Sequence, residues 1–532
     1  MSERLRQGVK PVSVLARWLL PSLGSFCLLL VLYWLIANSW RFLLDSDTGW
    51  HIRTGDWIRQ THAVPRQDLF SFTLAGREWF AWEWLADVLM SAIHSTRGLA
   101  GLVAAAILLL SACYAALYRM MLARGADPIL ACVLTVMAAL LSMIHWLARP
   151  HVLSIGLMIV WYGLMESYRR RRSRWVYAVP LLLLIWANVH GAFVITFVML
   201  VIYAVGETLE FISRGEGKSQ KLRTVLSVYA LLGGLSLIAT LVTPYGFKLY
   251  AHLWSYLNDR ALLALIPEFH SPDFNTLDGQ MIEIFLLLGV VAAMMAARQR
   301  RFVEIGLLLL WSHLTLQAER HVTLAVVVMM PMIAEHWSAL LGQVARAVAS
   351  GQSAVARLWR AALDWYRNLR AIDRQLNGAA VYVAVAVFMI ALSGSRQADQ
   401  LLSPRFDAQR FPVAAADFIA TAKLPGNMYA HDQYGGYLIY RLSPQVKVFA
   451  DGRSDFYRQS TVIEDMNQIS TAKPTWQAVL DKYGVGWMLL RRNEPVGLLA
   501  KMSGQWVSVY SDATAQVLVK KTTTASEVAK QE

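Results

Sequence analysis

Long apolar stretches, each closed by a short polar or basic segment, recur along the chain as far as about residue 395. A membrane-crossing helix takes about 20 predominantly apolar residues. On that measure eleven stretches predict spans, near 17–40, 98–121, 128–148, 151–168, 175–190, 192–213, 224–243, 280–297, 302–317, 321–340 and 378–395. The pattern then changes. Over 396–532, helical periodicities at 413–422 and 475–483 alternate with strand-like runs at 445–450, 486–491, 506–510 and 515–519, separated by Gly, Pro and Asp. The polar end from Thr522 onward reads as loose. The expected architecture is an α-helical polytopic membrane protein with about 11 transmembrane helices over 1–395, followed by a small α/β domain over 396–532.

The loop at 40–97, between the first two predicted spans, carries Trp40, Trp50, Trp57, Trp79, Trp82 and Trp84. Within it Trp82, Leu85, Leu89 and Ile93 recur at helical spacing opposite Glu83, Asp87 and Ser91, which predicts a helix lying in the membrane interface. Pro65-Arg66-Gln67-Asp68 separates it from an earlier helix around 46–60.

Composition agrees with this reading. Of 532 residues, 56% are hydrophobic and only 16% charged, values that exclude an ordinary soluble globule. The net charge of +14 is carried largely by short clusters: Arg119 and Arg124; Arg169 to Arg174; Arg214, Lys218, Lys221 and Arg223; Arg298, Arg300 and Arg301; and Arg346 to Arg374. A cytoplasmic N-terminus puts every cluster on one side, as the positive-inside rule requires, and an odd number of spans sends the C-terminal domain to the periplasmic or extracellular side. Because the charge is explained topologically and no basic domain is detached, nucleic acid is not an expected partner. Arg4, Arg6, Lys10 and Arg17 precede a first apolar stretch that exceeds a signal-peptide core of roughly 7–15 residues, so this stretch reads as a retained span. In the segment 340–376, apolar residues such as Leu358, Trp359 and Trp365 alternate with arginines and predict a surface helix. Cys27, Cys113 and Cys132 lie inside apolar runs and suggest neither a disulfide framework nor a thiolate metal site. Phosphate-loop, dinucleotide-binding and zinc-helix motifs are absent.

The same orientation gathers isolated polar and ionisable groups at the outer face: Asp45 and Asp47, Arg149 and His151, Asn188 and His190, Glu268, and Arg320 and His321. Such groups are costly at membrane depth unless they line a cavity or pair with one another, and a cavity open to that face is the simplest explanation. The set resembles the sites of GT-C membrane glycosyltransferases, where a sugar carried on a lipid phosphate and attacked by an acceptor needs a carboxylate to take the acceptor's proton and cations to receive the phosphate charge. Asp45 or Asp47 suits the first task, and Arg149 or Arg320, with His151, His190 or His321, the second. The two aspartates would equally ligate a divalent cation, and the sequence leaves base and ligand both open. Each group also has a structural explanation: Asp45 and Asp47 as helix caps, Arg149 as a headgroup anchor, His190 in a tight turn, Arg320 paired with Glu319, and Asp451-Gly452-Arg453 as a turn.

Taken together, the acid pair opening the first loop, two interfacial helices, about a dozen spans, outer-face His and Arg, and a C-terminal α/β domain resemble the GT-C superfamily of polyprenyl-phosphate-sugar-dependent membrane glycosyltransferases. Trp186-Ala187-Asn188-Val189-His190-Gly191 and Val448-Phe449-Ala450-Asp451-Gly452-Arg453 are similar to segments of uncharacterised bacterial proteins grouped with them. The acid signature reads Asp45-Ser46-Asp47 where several branches have Asp-Glu, and no Trp-Trp-Asp motif of the oligosaccharyltransferases occurs in the C-terminal part. The resemblance implies a bacterial inner-membrane enzyme that moves a sugar from a polyprenyl-phosphate donor to an exported glycan, lipid or protein. The alternatives are a polymerase or ligase using a diphosphate-linked glycan, a transporter or flippase, and a non-catalytic assembly subunit.

Overall fold

The computed structural model describes residues 13–376, 378–392 and 401–521. Among the described residues six helices are long and apolar enough to cross a membrane: Val14–Ala37, Trp84–Ala123, Gly191–Ser213, Gln220–Thr240, Leu277–Arg298 and Glu319–Ala349. Four shorter apolar helices accompany them, Pro128–Leu141, Arg174–Ala187, Phe302–Gln317 and Ala380–Leu392. His151–Arg171 is 21 residues long but ends on three arginines. Each of the eleven expected positions therefore holds a helix, while length and apolarity alone identify six as membrane-crossing. The end of the last expected span, the predicted domain boundary at 395/396, the N-terminal basic residues and the tail from Thr522 lie outside the described residues.

The first loop forms the two expected helices. Asp47–Thr61 is followed by a helix starting at Trp84, which runs into the next span through Gly98. Gly98 has φ 61° and ψ −159°, a conformation open to glycine, and there the chain turns from interface to membrane. The interfacial helix sits differently from the amphipathic expectation. Its polar residues Asp87 and Ser91 are buried against Asp47–Thr61, while Leu89 is exposed. The polar face points into the protein because partners wait there: Asp56 accepts from Ser91 (2.6 Å), and Arg59 donates to Ser91 and Ser95.

The C-terminal unit is a four-stranded sheet in the order β1-β2-β4-β3, with β1 Asn427–Ala430, β2 Val485–Arg491, β3 Trp506–Ser511 and β4 Ala515–Lys520. β1 runs parallel to β2, so the chain between them crosses over through helices that include Asp432–Leu442, Val462–Ser470 and Trp476–Lys482. The other two pairings are antiparallel. The strand expected at 445–450 is not in this sheet. Val448 instead bonds the first loop, accepting from Phe72 N–H (3.2 Å) and donating to Phe70 C=O (3.0 Å). The C-terminal unit is thus stitched to the first loop, with Arg53 Nε donating to Tyr440 C=O (2.9 Å) and Arg453 paired with Asp68 (2.8 Å).

Several basic residues expected in solvated loops are buried in an ion network. Arg124 bonds Glu166 (2.8 Å), Glu304 (2.6 Å) and Glu335 (2.9 Å), and Arg169 bonds Glu210 (2.8 Å). The Arg124 side chain is 6% exposed. Buried charges of this kind persist only when paired.

Candidate functional site

The start of the His151–Arg171 helix faces a cavity of about 1190 Å³ between the first loop, the membrane helices and the C-terminal unit. Arg149, just ahead of that helix, lines the cavity. Arg149 Nη1 lies 2.5 Å from Asp45 Oδ2 and Nη2 lies 2.9 Å from Asp47 Oδ2, so a single guanidinium clamps both acids. Asp45 also caps locally, its Oδ1 accepting from the Asp47 N–H (2.9 Å). The two acids are not equivalent. Asp45 is 27% exposed and Asp47 only 8%. Burial pushes Asp47 up to about 7, with Asp45 adding to the shift and Arg149 opposing it.

Part of that burial comes from the C-terminal unit. A methyl group placed on Gly452 would overlap the Asp47 carboxylate, so only glycine lets the backbone approach there. The turn is locked by its neighbour. Arg453 Nε and Nη2 bond Asp451 (2.7 Å each), Nη2 reaches Asp68 (2.8 Å), and the guanidinium lies over Trp79 (4.5 Å) and Phe456 (5.0 Å). The Asp451-Gly452-Arg453 turn is therefore a structural clasp that also forms part of the cavity wall.

Glu83, seen in the sequence only as the polar side of an interfacial helix, lines the same cavity. It has no arginine within ion-pair distance among the described residues; its near neighbours are His190 Nε2 (3.6 Å) and His51 Nε2 (3.8 Å). Burial pushes Glu83 up to about 8, with Arg149 opposing. His190 Nδ1 accepts from the Ala192 N–H (3.3 Å) and contacts Ser154 Oγ (3.0 Å), so a neutral ring carries its proton on Nε2, facing Glu83. Burial holds His190 down to about 3, which keeps it neutral. His51 is held well below its usual range by burial and contacts Asp87 through Nδ1 (2.6 Å).

On the membrane side, Glu268 and Arg320 form a 3.3 Å ion pair in the wall, with Arg320 over the Phe269 ring at 4.0 Å. The partner of Arg320 is thus Glu268 rather than the adjacent Glu319. Leu44, Ile144, Leu147, Leu265 and Ile266 make this part of the wall apolar.

Of the predicted site residues, the structure brings Asp45, Asp47, Arg149, His190, Glu268 and Arg320 to one cavity. The other three are not among its lining residues. Asn188 is fully engaged in packing the first loop, accepting from Trp84 Nε1 (2.8 Å) and donating to the carbonyls of Leu184 (2.9 Å) and Val242 (3.0 Å). His151 Nε2 contacts the His145 carbonyl (3.2 Å), and His321 ends a short turn beside Arg320. For a divalent cation between Asp45 and Asp47 the donor set does not fit: Arg149 takes the place between the carboxylates, and the described residues hold no group of three or more His, Cys, Asp or Glu suited to a metal ion.

No family model matches the sequence, and no curated protein matches it. Solved structures do match in fold. The oligosaccharyltransferase of Archaeoglobus fulgidus, in the apo form, superposes with a TM-score of 0.53 at 12% identity, over 87% of this chain and 69% of that one. ArnT from Cupriavidus metallidurans aligns in its apo state over 92% of this chain and 97% of that one, at 15% identity and a TM-score of 0.48. The same protein bound to undecaprenyl phosphate gives a TM-score of 0.41 at 12% identity, over 92% of this chain and 97% of that one. At these identities the likeness is one of fold, and the first of the three carries it.

Proposed function

The chain has the fold of the GT-C superfamily, and from that premise we propose that it is a membrane glycosyltransferase using a polyprenyl-phosphate sugar at the outer face of a bacterial inner membrane. The observation that carries the reading is the double clamp of Arg149 on Asp45 and Asp47 in a cavity that is apolar toward the membrane helices and polar toward the C-terminal unit. In the proposed step an acceptor hydroxyl or amine forms a bond to the anomeric carbon, and the bond from that carbon to the phosphate oxygen breaks. The acceptor's proton passes to Asp47, and the electron pair leaves with the lipid phosphate. Burial raises Asp47 toward neutrality, the range in which a general base is effective. Arg149 and Arg320 supply permanent positive charge for the departing phosphate. Glu83, still protonated at pH 7, donates a hydrogen bond into the site rather than adding a third negative charge.

The test supplies polyprenyl-phosphate sugars carrying radiolabelled glucose, mannose, galactosamine or aminoarabinose to membranes containing the protein. Label should leave the lipid phosphate for a new product with at least one donor, and only when the protein is present. Retention of label on every donor would overturn the reading.

A further inference from the structure

The C-terminal unit supplies a wall of the cavity in which three arginines have no carboxylate within ion-pair distance among the described residues. Arg491 ends β2, Arg492 follows it, and Arg410 precedes the Val413–Thr421 helix; all three are exposed and line the cavity. Arg491 donates to Gln433 Oε1 and Arg492 to the Asp512 carbonyl (3.3 Å), and among the described residues none of the three has a carboxylate within 4.0 Å. The nearest acids, Glu494 and Asp512, act on Arg491 and Arg492 only from beyond ion-pair distance. Glu494 accepts from the Arg491 backbone N–H (3.0 Å), and Asp512 accepts from the Tyr510 hydroxyl (2.8 Å) and the Thr514 N–H (2.7 Å). Of the other charges of this wall, Arg453 is paired with Asp451 and Asp68, while Asp432 and Asp455 contact His431 (2.6 Å) and His252 (3.1 Å). The positive charge left over is therefore local to Arg410, Arg491 and Arg492.

Three guanidinium groups sharing one wall without a directly bonded counter-charge repel one another, and an anion bridging them is stabilised by charge-assisted hydrogen bonds. The neighbouring side chains Gln409 and Asn493 are neutral hydrogen-bonding groups suited to sugar hydroxyls. We propose that this wall holds the acceptor, and that the acceptor is an anionic saccharide carrying a carboxylate or a phosphate. The inference rests on the glycosyltransferase reading and deepens it. The donor phosphate is assigned to Arg149 and Arg320, which come from the membrane helices, so the two anionic groups address different parts of the protein.

The full-length protein in lipid nanodiscs is titrated calorimetrically at low salt with trigalacturonate against maltotriose, and with glucose 6-phosphate against glucose. In at least one pair the anionic sugar should bind about tenfold tighter than the neutral one, and the preference should fall as salt is added. The Arg410→Gln/Arg491→Gln/Arg492→Gln variant should bind both members of that pair alike. Arg357→Gln/Arg367→Gln/Arg374→Gln, which removes the same charge from the distant Ala354–Asp373 region, should keep the preference. Equal affinity in both pairs, or a preference that survives loss of Arg410, Arg491 and Arg492, overturns the inference. Undecaprenyl phosphate binding, read on the same preparations, should be unchanged in the wall variant. Its absence in the unaltered protein overturns the glycosyltransferase reading, and the acceptor role with it, whereas equal saccharide affinities with undecaprenyl phosphate bound overturn only the anionic acceptor.

Discussion

Two ionic clusters stand at opposite ends of the His151–Arg171 helix, about 30 Å apart by helical rise, and they handle buried charge in different ways. At the far end Arg124, Arg169, Arg170 and Arg301 meet Glu166, Glu210, Glu304 and Glu335, and each carboxylate there is within 4.0 Å of at least one arginine. Glu304 alone is met by four arginines and by His336 (2.9 Å). At the near end one arginine serves two aspartates, Glu83 has only neutral histidines beside it, and the whole group opens on a cavity of about 1190 Å³. The first cluster is saturated and ties helix ends together. In the second, burial outweighs the one arginine, so that two of its acids are held near or above neutrality, as acids at functional sites often are. A buried ion pair therefore does not reveal its task by its geometry alone; what distinguishes the two clusters is whether every charge already has its partner.

The comparison breaks most sharply at Asp47. Asp47→Asn keeps the shape and removes the base, so sugar transfer should fall by about 10²–10⁴-fold with unfolding midpoint and expression little changed. Transfer at the unaltered rate would mean that the near cluster is as structural as the far one. The converse test is Arg124→Met, which takes one arginine from Glu166, Glu304 and Glu335 at once and leaves their negative charge under-compensated. Stability should drop by about 3–5 kcal/mol, read as a lower denaturant midpoint, and a loss below about 1 kcal/mol would show that the far network is not a structural tie.

The smallest effect sharpens the role of Glu83. Asp47 accepts a proton only when ionised, so activity should rise as pH passes about 7; Glu83 donates only while protonated, so activity should fall as pH passes about 8. The pH–rate profile should be bell-shaped. Glu83→Gln, which keeps a hydrogen-bond donor at every pH, should remove the alkaline limb and leave the acid limb in place. An alkaline limb that persists in that variant would assign it to another group.

How far the sequence reached can be traced residue by residue. The spans, the two interfacial helices and the C-terminal α/β unit follow from local periodicity, because a helix or strand records its buried side every 3.6 or 2 residues. Asp45, Asp47 and Arg149 stood out because a charge at the end of an apolar run needs a partner. Glu83 gave no such signal, since an acid on an amphipathic helix is ordinarily solvated. The sign was its position between Trp82 and Trp84, where an acid facing the protein rather than the water would have to be buried. The segment 445–450 has strand composition and does use its backbone in extended pairing, but with the first loop, more than 370 residues away in the chain.

By itself the sequence determined where the chain enters and leaves the apolar phase and which charges lie near those points, because transfer from water is a local property of each segment. Tertiary structure alone decided which acid is dry, which arginine is spent on pairing, and which charges are left over. Asp47 differs from Asp45 because Gly452, 405 positions later, closes over it. Arg491 and Arg492 differ from Arg453 because no carboxylate among the described residues comes within ion-pair distance of them. Desolvation and pairing depend on what surrounds a group on every side, and those surroundings come from segments far apart in the chain.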